Sequence, residues 1–296
     1  MNPAEPLLRY LPWRFRSLSN YRYANANRYF TGALRTPPVP CRPESGNEVH
    51  SLVCKRDINM FLLAAKSFLS YCPSASLIVH DDGSLGAEEN SILVTHLPGV
   101  RILMRAEADE IMARLLPAAI AERRLKKVFL LKLLDVNYFN SADRTILLDS
   151  DILFLQSPTW IKDWLSNDTD TCFYNQDPLK DTLRAKMDGV SLSLAPYFNA
   201  GFVGYPRRLG FEELLNDLTR LNYWGEDQTI YGNLLPRRFP IKALDKQEYF
   251  VLDGNPPLPE AVMVHFISTW RFKQASSYLP LAQGVIRQLQ SFDSSR

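Results

Sequence analysis

Two aspartates one residue apart are the strongest indication of chemistry in this sequence. Asp149 and Asp151, with Ser150 between them, end an apolar run that starts at residue 145. Side chains of a strand alternate with a period of two, so both carboxylates point to one side. Two hard oxygen ligands with open coordination positions suit Mg²⁺ or Mn²⁺ completed by a substrate diphosphate. The alternative is a polar strand end with an incidental aspartate pair.

The elements that would position these carboxylates alternate between strands and helices. Strand patterns at residues 49–53 and 76–80 enclose an amphipathic helix at 58–69, a βαβ unit that implies parallel strands. The continuous apolar run at 145–149 predicts a strand in the centre of the sheet. Further strands are predicted at 171–174, 201–204 and 262–266, and helices at 130–139, 210–221, 227–234 and 279–289.

These patterns predict one α/β domain with a mostly parallel sheet and helices on both faces. Ligands of such sheets bind beyond the carboxyl ends of the strands, which is where the aspartates lie. We divide the chain into an N-terminal arm at 1–46, which ends in a proline-rich stretch, a domain at 47–275, and a C-terminal helix and tail at 276–296.

Composition excludes several classes of protein. Of the 296 residues, 46% are apolar and 22% are charged, as in ordinary globular chains and unlike disordered or fibrous ones. The four cysteines form neither a CxxC pair nor a zinc spacing. The sequence has no apolar run of the roughly 20 residues that span a bilayer, and its start does not resemble a signal peptide. We therefore expect a cytoplasmic protein.

The basic residues are concentrated at the N-terminus. Residues 1–45 carry seven arginines against Glu5 and Glu44, a net +5 that leaves −3 on the remaining chain. Aromatic residues are interleaved with these arginines, a mixture that suits peripheral contact with an anionic membrane at its inner face. The alternative is an arm that packs its aromatics on the domain. Nucleic acid is not expected as a partner, because the body offers no basic stripe.

A family resemblance is carried by short motifs that follow one another along the chain. They are Ala64-Ala-Lys-Ser67, His80-Asp-Asp-Gly-Ser84, Leu147-Leu-Asp-Ser-Asp-Ile-Leu-Phe-Leu-Gln-Ser-Pro158, Pro196-Tyr-Phe-Asn-Ala-Gly201, Glu226-Asp-Gln228 and Val264-His-Phe266. In order and spacing they resemble glycosyltransferase family 8, the retaining enzymes that include glycogenin and the lipopolysaccharide galactosyltransferases. The resemblance runs from about residue 49 to residue 273, and it implies the GT-A fold of nucleotide-diphospho-sugar transferases.

The resemblance implies a metal site and a donor site. Its metal ligands would be Asp149, Asp151 and His265, an oxygen and imidazole set that favours Mn²⁺ without excluding Mg²⁺. Without the family, His265 would be interpreted as a buried strand histidine. The residues that contact the donor would be Lys132, Asp149, Ser150, Gly201 and Arg271. Lys132 could instead be a solvated lysine. Arg271 stands where the family has a lysine that binds the diphosphate, and an arginine can bind phosphate as well.

The resemblance also implies a set of catalytic residues. Asn199 would hydrogen-bond the donor sugar while Gly201 lets backbone approach it, although both could simply form a turn before a strand. Asp227 and Gln228 would face the anomeric carbon and stabilise an oxocarbenium-like transition state. Alternatively, Glu226 and Asp227 are ordinary N-terminal helix charges that favour the dipole.

The predicted reaction is metal-dependent transfer of a hexose from a nucleotide diphosphate sugar to a glycan or lipid-linked acceptor, with retention. A UDP-sugar is favoured, but the family's nucleotide loop is replaced here by Cys54-Lys-Arg-Asp57, so the base stays open. The motif at 80–84 also resembles inverting GT-A enzymes, in which Glu226 or Asp227 would be the general base. A third alternative is a non-catalytic protein that binds sugar nucleotides or carbohydrate.

Overall fold

The computed structural model of the chain describes residues 30–177, 195–220, 226–252, 257–266 and 275–293, together with Pro12 and Phe15. Ten strands lie within these residues. They are β1 (Asn47–Val53), β2 (Ser76–Asp81), β3 (Arg101–Leu103), β4 (Arg144–Leu148), β5 (Ile152–Phe154), β6 (Cys172–Gln176), β7 (Phe198–Pro206), β8 (Ile241–Ala243), β9 (Tyr249–Val251) and β10 (Met263–His265).

Nine α-helices accompany the strands in the described part of the chain. They are α1 (Ile58–Tyr71), α2 (Ala87–His96), α3 (Arg105–Leu115), α4 (Ala118–Lys126), α5 (Val128–Phe139), α6 (Thr159–Ser166), α7 (Phe211–Arg220), α8 (Glu226–Arg238) and α9 (Ala275–Asp293). Short 3-10 helices occur at Thr31–Arg35 and Lys55–Asp57.

The main sheet has seven strands in the order β3-β2-β1-β4-β7-β6-β8. β1 is parallel to β2 and β4, β2 to β3, and β6 to β8, whereas β7 is antiparallel to both its neighbours. The predicted parallel βαβ unit is therefore confirmed. So is the central position of the strand before Asp149, because β4 is the fourth strand of seven and all its residues are buried.

Helices cover both faces of this sheet, as the sequence predicts. Ile146 and Leu148 of β4 point into one apolar core with α1 and α9, while Leu147 points into a second core with α5, α7 and α8. The period of two in a strand sends neighbouring apolar side chains to opposite layers. The continuous apolar run of β4 is thus required by burial on both sides.

The segment before β1 packs against the body from residue 30 onward. Phe30 and Ala33 are buried in the core that contains α1. Lys66 of α1 is also buried, and its Nζ donates to the backbone oxygens of Thr36 and Pro37 at 3.2 and 2.8 Å. A buried ammonium needs such acceptors, because an unpaired charge is costly away from water. Residues 30–46 are consequently attached to the domain, and most of the basic arm precedes them, outside the described residues.

Several short elements were not predicted from the sequence. Strands β3, β5, β8 and β9 have three residues each, too few for a period of two to be recognised. The helices α2, α3, α4 and α6 were also missed. The four cysteines carry thiols rather than disulfides. Among the helices of the described residues, none combines the length and the apolar character needed to cross a bilayer.

Candidate active site

Three side chains at the carboxyl end of β4 form a group that could hold a metal ion. Asp149, Asp151 and His265, called here the carboxylate–imidazole cluster, each present a ligand atom within 4.8 Å of the other two. Nε2 of His265 lies 3.2 Å from Oδ1 of Asp151 and 3.8 Å from Oδ2 of Asp149. Asp151 and His265 are buried, whereas about a third of the Asp149 side chain (35%) is exposed. The cluster therefore opens to solvent on the Asp149 side.

The second sheet brings the imidazole to the carboxylates. Its strand order is β5-β10-β9, and β10 runs antiparallel to β5 with His265 opposite Ile152. The backbone N–H of Phe266 then donates to the carbonyl oxygen of Asp151 at 2.9 Å. Because β5 follows Asp151 directly, this pairing places a residue that is more than a hundred positions away beside the aspartate pair.

Lys132 of α5 forms an ion pair at the edge of the cluster. Its Nζ donates to Oδ1 of Asp149 and to the carbonyl oxygen of Ala200, both at 2.6 Å. Burial lowers the pKa of Lys132, but Asp149, Asp227 and Asp151 outweigh it, and the pKa lies above its ordinary value. The side chain is buried, which rules out the solvated lysine considered from the sequence.

Asp227 approaches the same group from the N-terminus of α8. Burial raises the pKa of its carboxyl to about 6, and Asp149 adds to the rise, while Lys132 and the backbone N–H of Gln228 oppose it. The next side chain, Gln228, is half-buried. The structure thus brings Asp227 into the electrostatic environment of Lys132 and Asp149.

Gly201 makes room for the imidazole. A Cβ on this residue would lie 2.1 Å from Cε1 and 2.8 Å from both ring nitrogens of His265. Any side chain there would collide with the ring. The packing of His265 therefore explains why this position is a glycine, an explanation that the sequence did not suggest. The neighbouring Asn199 is buried, and its Oδ1 accepts the N–H of Gly201 at 2.9 Å.

Sequence reasoning missed one residue that contacts the cluster. Asn175 is fully buried on β6, and its Nδ2 lies 3.3 Å from Nδ1 of His265. The pairing of β6 with β7 shifts register between Tyr174 and Asn175. A β-bulge re-aims side chains locally, and no sequence signal marks this one.

The motif at residues 80–84 has a structural role in the described chain. Oδ1 of Asp81 accepts the N–H groups of Gly83 and Leu85 at 2.8 and 3.0 Å, and Oδ2 accepts that of Arg105 at 3.2 Å. Gly83 adopts a positive φ of 100°, which a glycine turn accommodates. Asp81 therefore fixes the turn after β2.

A cleft of about 370 Å³ is lined by residues of two strands, β6 and β9, that neighbour the cluster. Its lining residue Val251 pairs with His265 across β9 and β10, and Gln176 follows Asn175 on β6. Tyr197 lines the same cleft, is 46% exposed and has a φ of 54°, a conformation that non-glycine residues seldom adopt. The cleft combines this aromatic ring with polar groups, as small-molecule sites commonly do.

Ser150 and Arg271 are the other two residues that the resemblance places at the donor. Ser150 is half-buried between the two aspartates. Arg271 lies outside the described residues.

Comparison with solved structures finds glycosyltransferases. The galactosyltransferase LgtC, solved with donor and acceptor sugar analogs, superposes with a TM-score of 0.53 over 80% of this chain and 95% of LgtC, at 16% identity. The glycosyltransferase GlyE of Streptococcus pneumoniae TIGR4 superposes with a TM-score of 0.54 over 84% of this chain, at 14% identity. This chain has the GT-A glycosyltransferase fold.

The GT-A fold predicted from the motif order is thus confirmed. The match to GlyE spans 64% of the GlyE chain, whereas LgtC is covered almost completely. No protein-family model and no curated protein sequence matches this chain. At such low identity the fold is shared, and the chemistry must be argued from the residues of the site.

Proposed function

We propose that this protein is a metal-dependent glycosyltransferase that moves a hexose from a nucleotide diphosphate sugar to a glycan or lipid-linked acceptor, with retention of anomeric configuration. The observation that carries the proposal is the carboxylate–imidazole cluster at the carboxyl end of the central strand of a GT-A fold. In open α/β sheets this edge is where ligands bind.

Asp149, Asp151 and His265 would hold the cation. Two hard carboxylate oxygens and one imidazole nitrogen fit Mn²⁺ well and Mg²⁺ acceptably. When bound, the cation would neutralise charge on the departing diphosphate. Lys132 holds Oδ1 of Asp149 through its 2.6 Å hydrogen bond, so this carboxylate is fixed in orientation.

The donor would bind over this edge of the sheet. Ser150 and Gly201 border the cluster, and Arg271 would grip the diphosphate with a bidentate guanidinium. Asn199 would hydrogen-bond the hexose. The base would lie near Lys55–Asp57, the 3-10 helix after β1, with a UDP-sugar as the favoured donor.

The cleft beside the cluster would take the acceptor. Tyr197 offers an exposed ring on which the C–H face of a sugar can pack, and Asp177 and Gln247 offer polar groups for its hydroxyls. Lipid-linked acceptors would present their sugar there. The basic N-terminal arm would then hold the protein at the inner face of an anionic membrane, with the enzyme itself cytoplasmic.

Asp227 and Gln228 would stabilise the transition state. Positive charge develops at the anomeric carbon as the diphosphate leaves, and a carboxylate and an amide oxygen fixed at the start of α8 stabilise such charge. Burial removes competing water from Asp227, which strengthens the interaction.

An inverting reaction is a second candidate that one observation favours. Because the pKa of Asp227 is raised to about 6, its carboxylate could take a proton from an acceptor hydroxyl near neutral pH. The anomeric configuration of the product, measured by NMR soon after transfer, separates the two mechanisms. Inversion would assign Asp227 the role of general base.

A binding panel followed by a turnover assay tests the proposal. Nucleoside diphosphates that bind with Mn²⁺ should raise the melting temperature, since a ligand stabilises the folded state by RT ln(1 + [L]/Kd). The best binder then defines the UDP-sugar or other donor used in a hydrolysis and transfer assay with and without chelator. Binding without any donor turnover would indicate a non-catalytic sugar-nucleotide-binding protein instead.

A further inference from the structure

Asn175 lies beside the imidazole of the carboxylate–imidazole cluster. It is fully buried on β6, at the register shift between β6 and β7. The shift leaves the backbone N–H of Phe202 to bond a side chain, and Oδ1 of Asn175 accepts it at 3.2 Å. The amide of Asn175 is thereby fixed by the strand beside it.

The orientation of this amide determines which nitrogen of His265 carries a proton. The oxygen and nitrogen of an amide are interchangeable in shape, but a backbone donor requires the oxygen on its side. Nδ2 of Asn175 therefore faces Nδ1 of His265, 3.3 Å away, and donates to it. A nitrogen that faces this donor must be an unprotonated acceptor, so the ring proton lies on Nε2, 3.2 Å from Oδ1 of Asp151.

This tautomer opposes a cation. Nε2 is the nitrogen that faces both carboxylates, so coordination there requires the proton to be on Nδ1 instead. Nδ1–H would then point at the amide N–H of Asn175 inside a buried site, where two opposed donors leave each other unsatisfied. Metal-binding histidines usually donate their second N–H to a carboxylate or carbonyl. The ring has no room to turn away on the side of Gly201.

We propose that Asn175 is a positioning residue that holds His265 in its Nε2–H tautomer and so weakens cation binding by the free protein. This inference rests on the proposed metal-dependent function. The diphosphate of a bound donor would supply the ligands that the weakly coordinating imidazole does not, so the cation is held firmly only together with the donor.

The Asn175→Asp variant tests the proposal through Mn²⁺ affinity. One carboxylate oxygen can still accept the N–H of Phe202, and the other can accept Nδ1–H of His265, which produces the tautomer that a cation needs. We expect the Kd for Mn²⁺ alone, measured by electron paramagnetic resonance titration, to fall about tenfold. A Kd that is unchanged or higher in a folded variant would overturn the proposal.

A double-mutant comparison separates the tautomer from the added charge. If the effect passes through His265, Asn175→Asp should give no tightening in a His265→Ala background. Equal tightening in both backgrounds would mean that the extra carboxylate acts by charge alone, and the proposal would be wrong. Gln176→Glu, which adds the same charge one residue along β6, is the matched control.

Ring ¹⁵N chemical shifts of His265 in the unaltered, metal-free protein give a readout that needs no variant. The proposal expects the proton on Nε2, and a proton on Nδ1 would overturn it. Neither these shifts nor the Mn²⁺ titrations depend on sugar transfer. Absence of transfer would therefore count against the proposed function alone.

Discussion

At the scale of single residues, the carboxylates of the cluster have unequal roles. Asp149 accepts a hydrogen bond from Lys132 at 2.6 Å, so it compensates a buried ammonium as well as facing His265. Asp151 lies next to His265, with its own backbone carbonyl tied to Phe266. Substitutions at the two positions should therefore differ in their cost to stability even where they have the same effect on catalysis.

Asp151→Asn should reduce Mn²⁺-dependent donor turnover by roughly 100-fold or more, because a charged ligand is lost. Asp149→Asn should do the same and also lower the free energy of unfolding by about 1–3 kcal/mol, since Lys132 loses a carboxylate acceptor in a buried site. His265→Ala should be milder, because water can take a vacated coordination position. Turnover assays and urea unfolding check these expectations.

Asp168→Asn is the control for these variants, because its carboxylate is fully exposed and pairs only loosely with Arg144, 3.6 Å away. We expect wild-type turnover and stability. Full activity of Asp151→Asn in the presence of a chelator would contradict metal dependence.

Gly201→Ala should damage the site through packing alone. The new Cβ would lie 2.1 Å from Cε1 of His265, so the ring or the strand must move. Overpacking of this kind costs about 1–3 kcal/mol, and we expect weaker binding of Mn²⁺ together with a nucleoside diphosphate as well. Gly284→Ala in α9 is the matched control, since its Cβ would meet nothing within 4 Å, and it should stabilise the protein by about 0.5–1 kcal/mol. Unchanged Mn²⁺ affinity of Gly201→Ala in the presence of a nucleoside diphosphate would contradict coordination by His265.

At the scale of elements, a buried polar chain links β1 to β2 beneath α5. Nε2 of His50 lies 3.0 Å from Oε2 of Glu48, and its Nδ1 lies 2.9 Å from Nε2 of His80. Ser141 donates to Glu48 from both its backbone N–H and its hydroxyl. The other ring nitrogen of His80, Nδ1, is buried without a hydrogen-bond partner. Two strands of the parallel sheet are thus joined by two imidazoles. Protonation of either ring would place a positive charge in the buried interior.

Acid should therefore weaken the fold through these histidines. Burial lowers the pKa of both His50 and His80 below 6.5. Just below pH 6.5 the unfolded chain therefore binds more protons at these histidines than the folded chain does. The stability from the neutral imidazoles is present above pH 6.5 and is lost as pH falls below it. The pKa of Glu48 is lowered to about 2, so this carboxylate stays ionised throughout that range.

Urea unfolding of the wild type and of His80→Gln at pH 7.5 and 5.5 measures this effect. The loss of unfolding free energy between the two pH values should be smaller in the variant, by on the order of 1 kcal/mol. Asp227, whose raised pKa contributes with the opposite sign below about pH 6, is common to both proteins. Equal losses in the two proteins would show that His80 does not titrate differently on unfolding.

At the scale of the whole molecule, charge is segregated along the chain. The body beyond residue 45 is slightly acidic, and five of the arginines lie before residue 30, where the packed segment begins. A truncation at residue 46 would remove the buried Phe30 and Ala33 along with the arm. A test of membrane contact must therefore change the arginines and keep the chain length.

Replacing Arg14, Arg16 and Arg22 with Gln in the full chain should abolish salt-sensitive sedimentation with phosphatidylglycerol vesicles. Each basic residue near an anionic surface contributes about 1 kcal/mol, and salt screens that attraction. Arg114→Gln, at a side chain that is 74% exposed on the body, is the control and should bind as the wild type does. Equal sedimentation of the triple variant and the wild type would mean that the arm does not carry membrane binding.

The sequence by itself determined the fold class and the place of the aspartate pair. Local periodicity is enough for this, because a two-sided apolar run such as β4 belongs in the centre of a sheet, and the residues after it then lie at the carboxyl edge. The motif order also indicated the GT-A fold. These conclusions depend on contacts within a few residues or on a pattern that spans the chain.

Only the tertiary structure decided the geometry of the candidate site. His265 reaches Asp151 through the pairing of β10 with β5, Lys132 is buried against Asp149, and Asn175 faces the imidazole because of one bulge. Each of these contacts joins residues that are far apart in the sequence. Such pairings are selected by packing of the whole core rather than by local propensity, and a shift of one residue in register would turn every side chain of a strand to its other face.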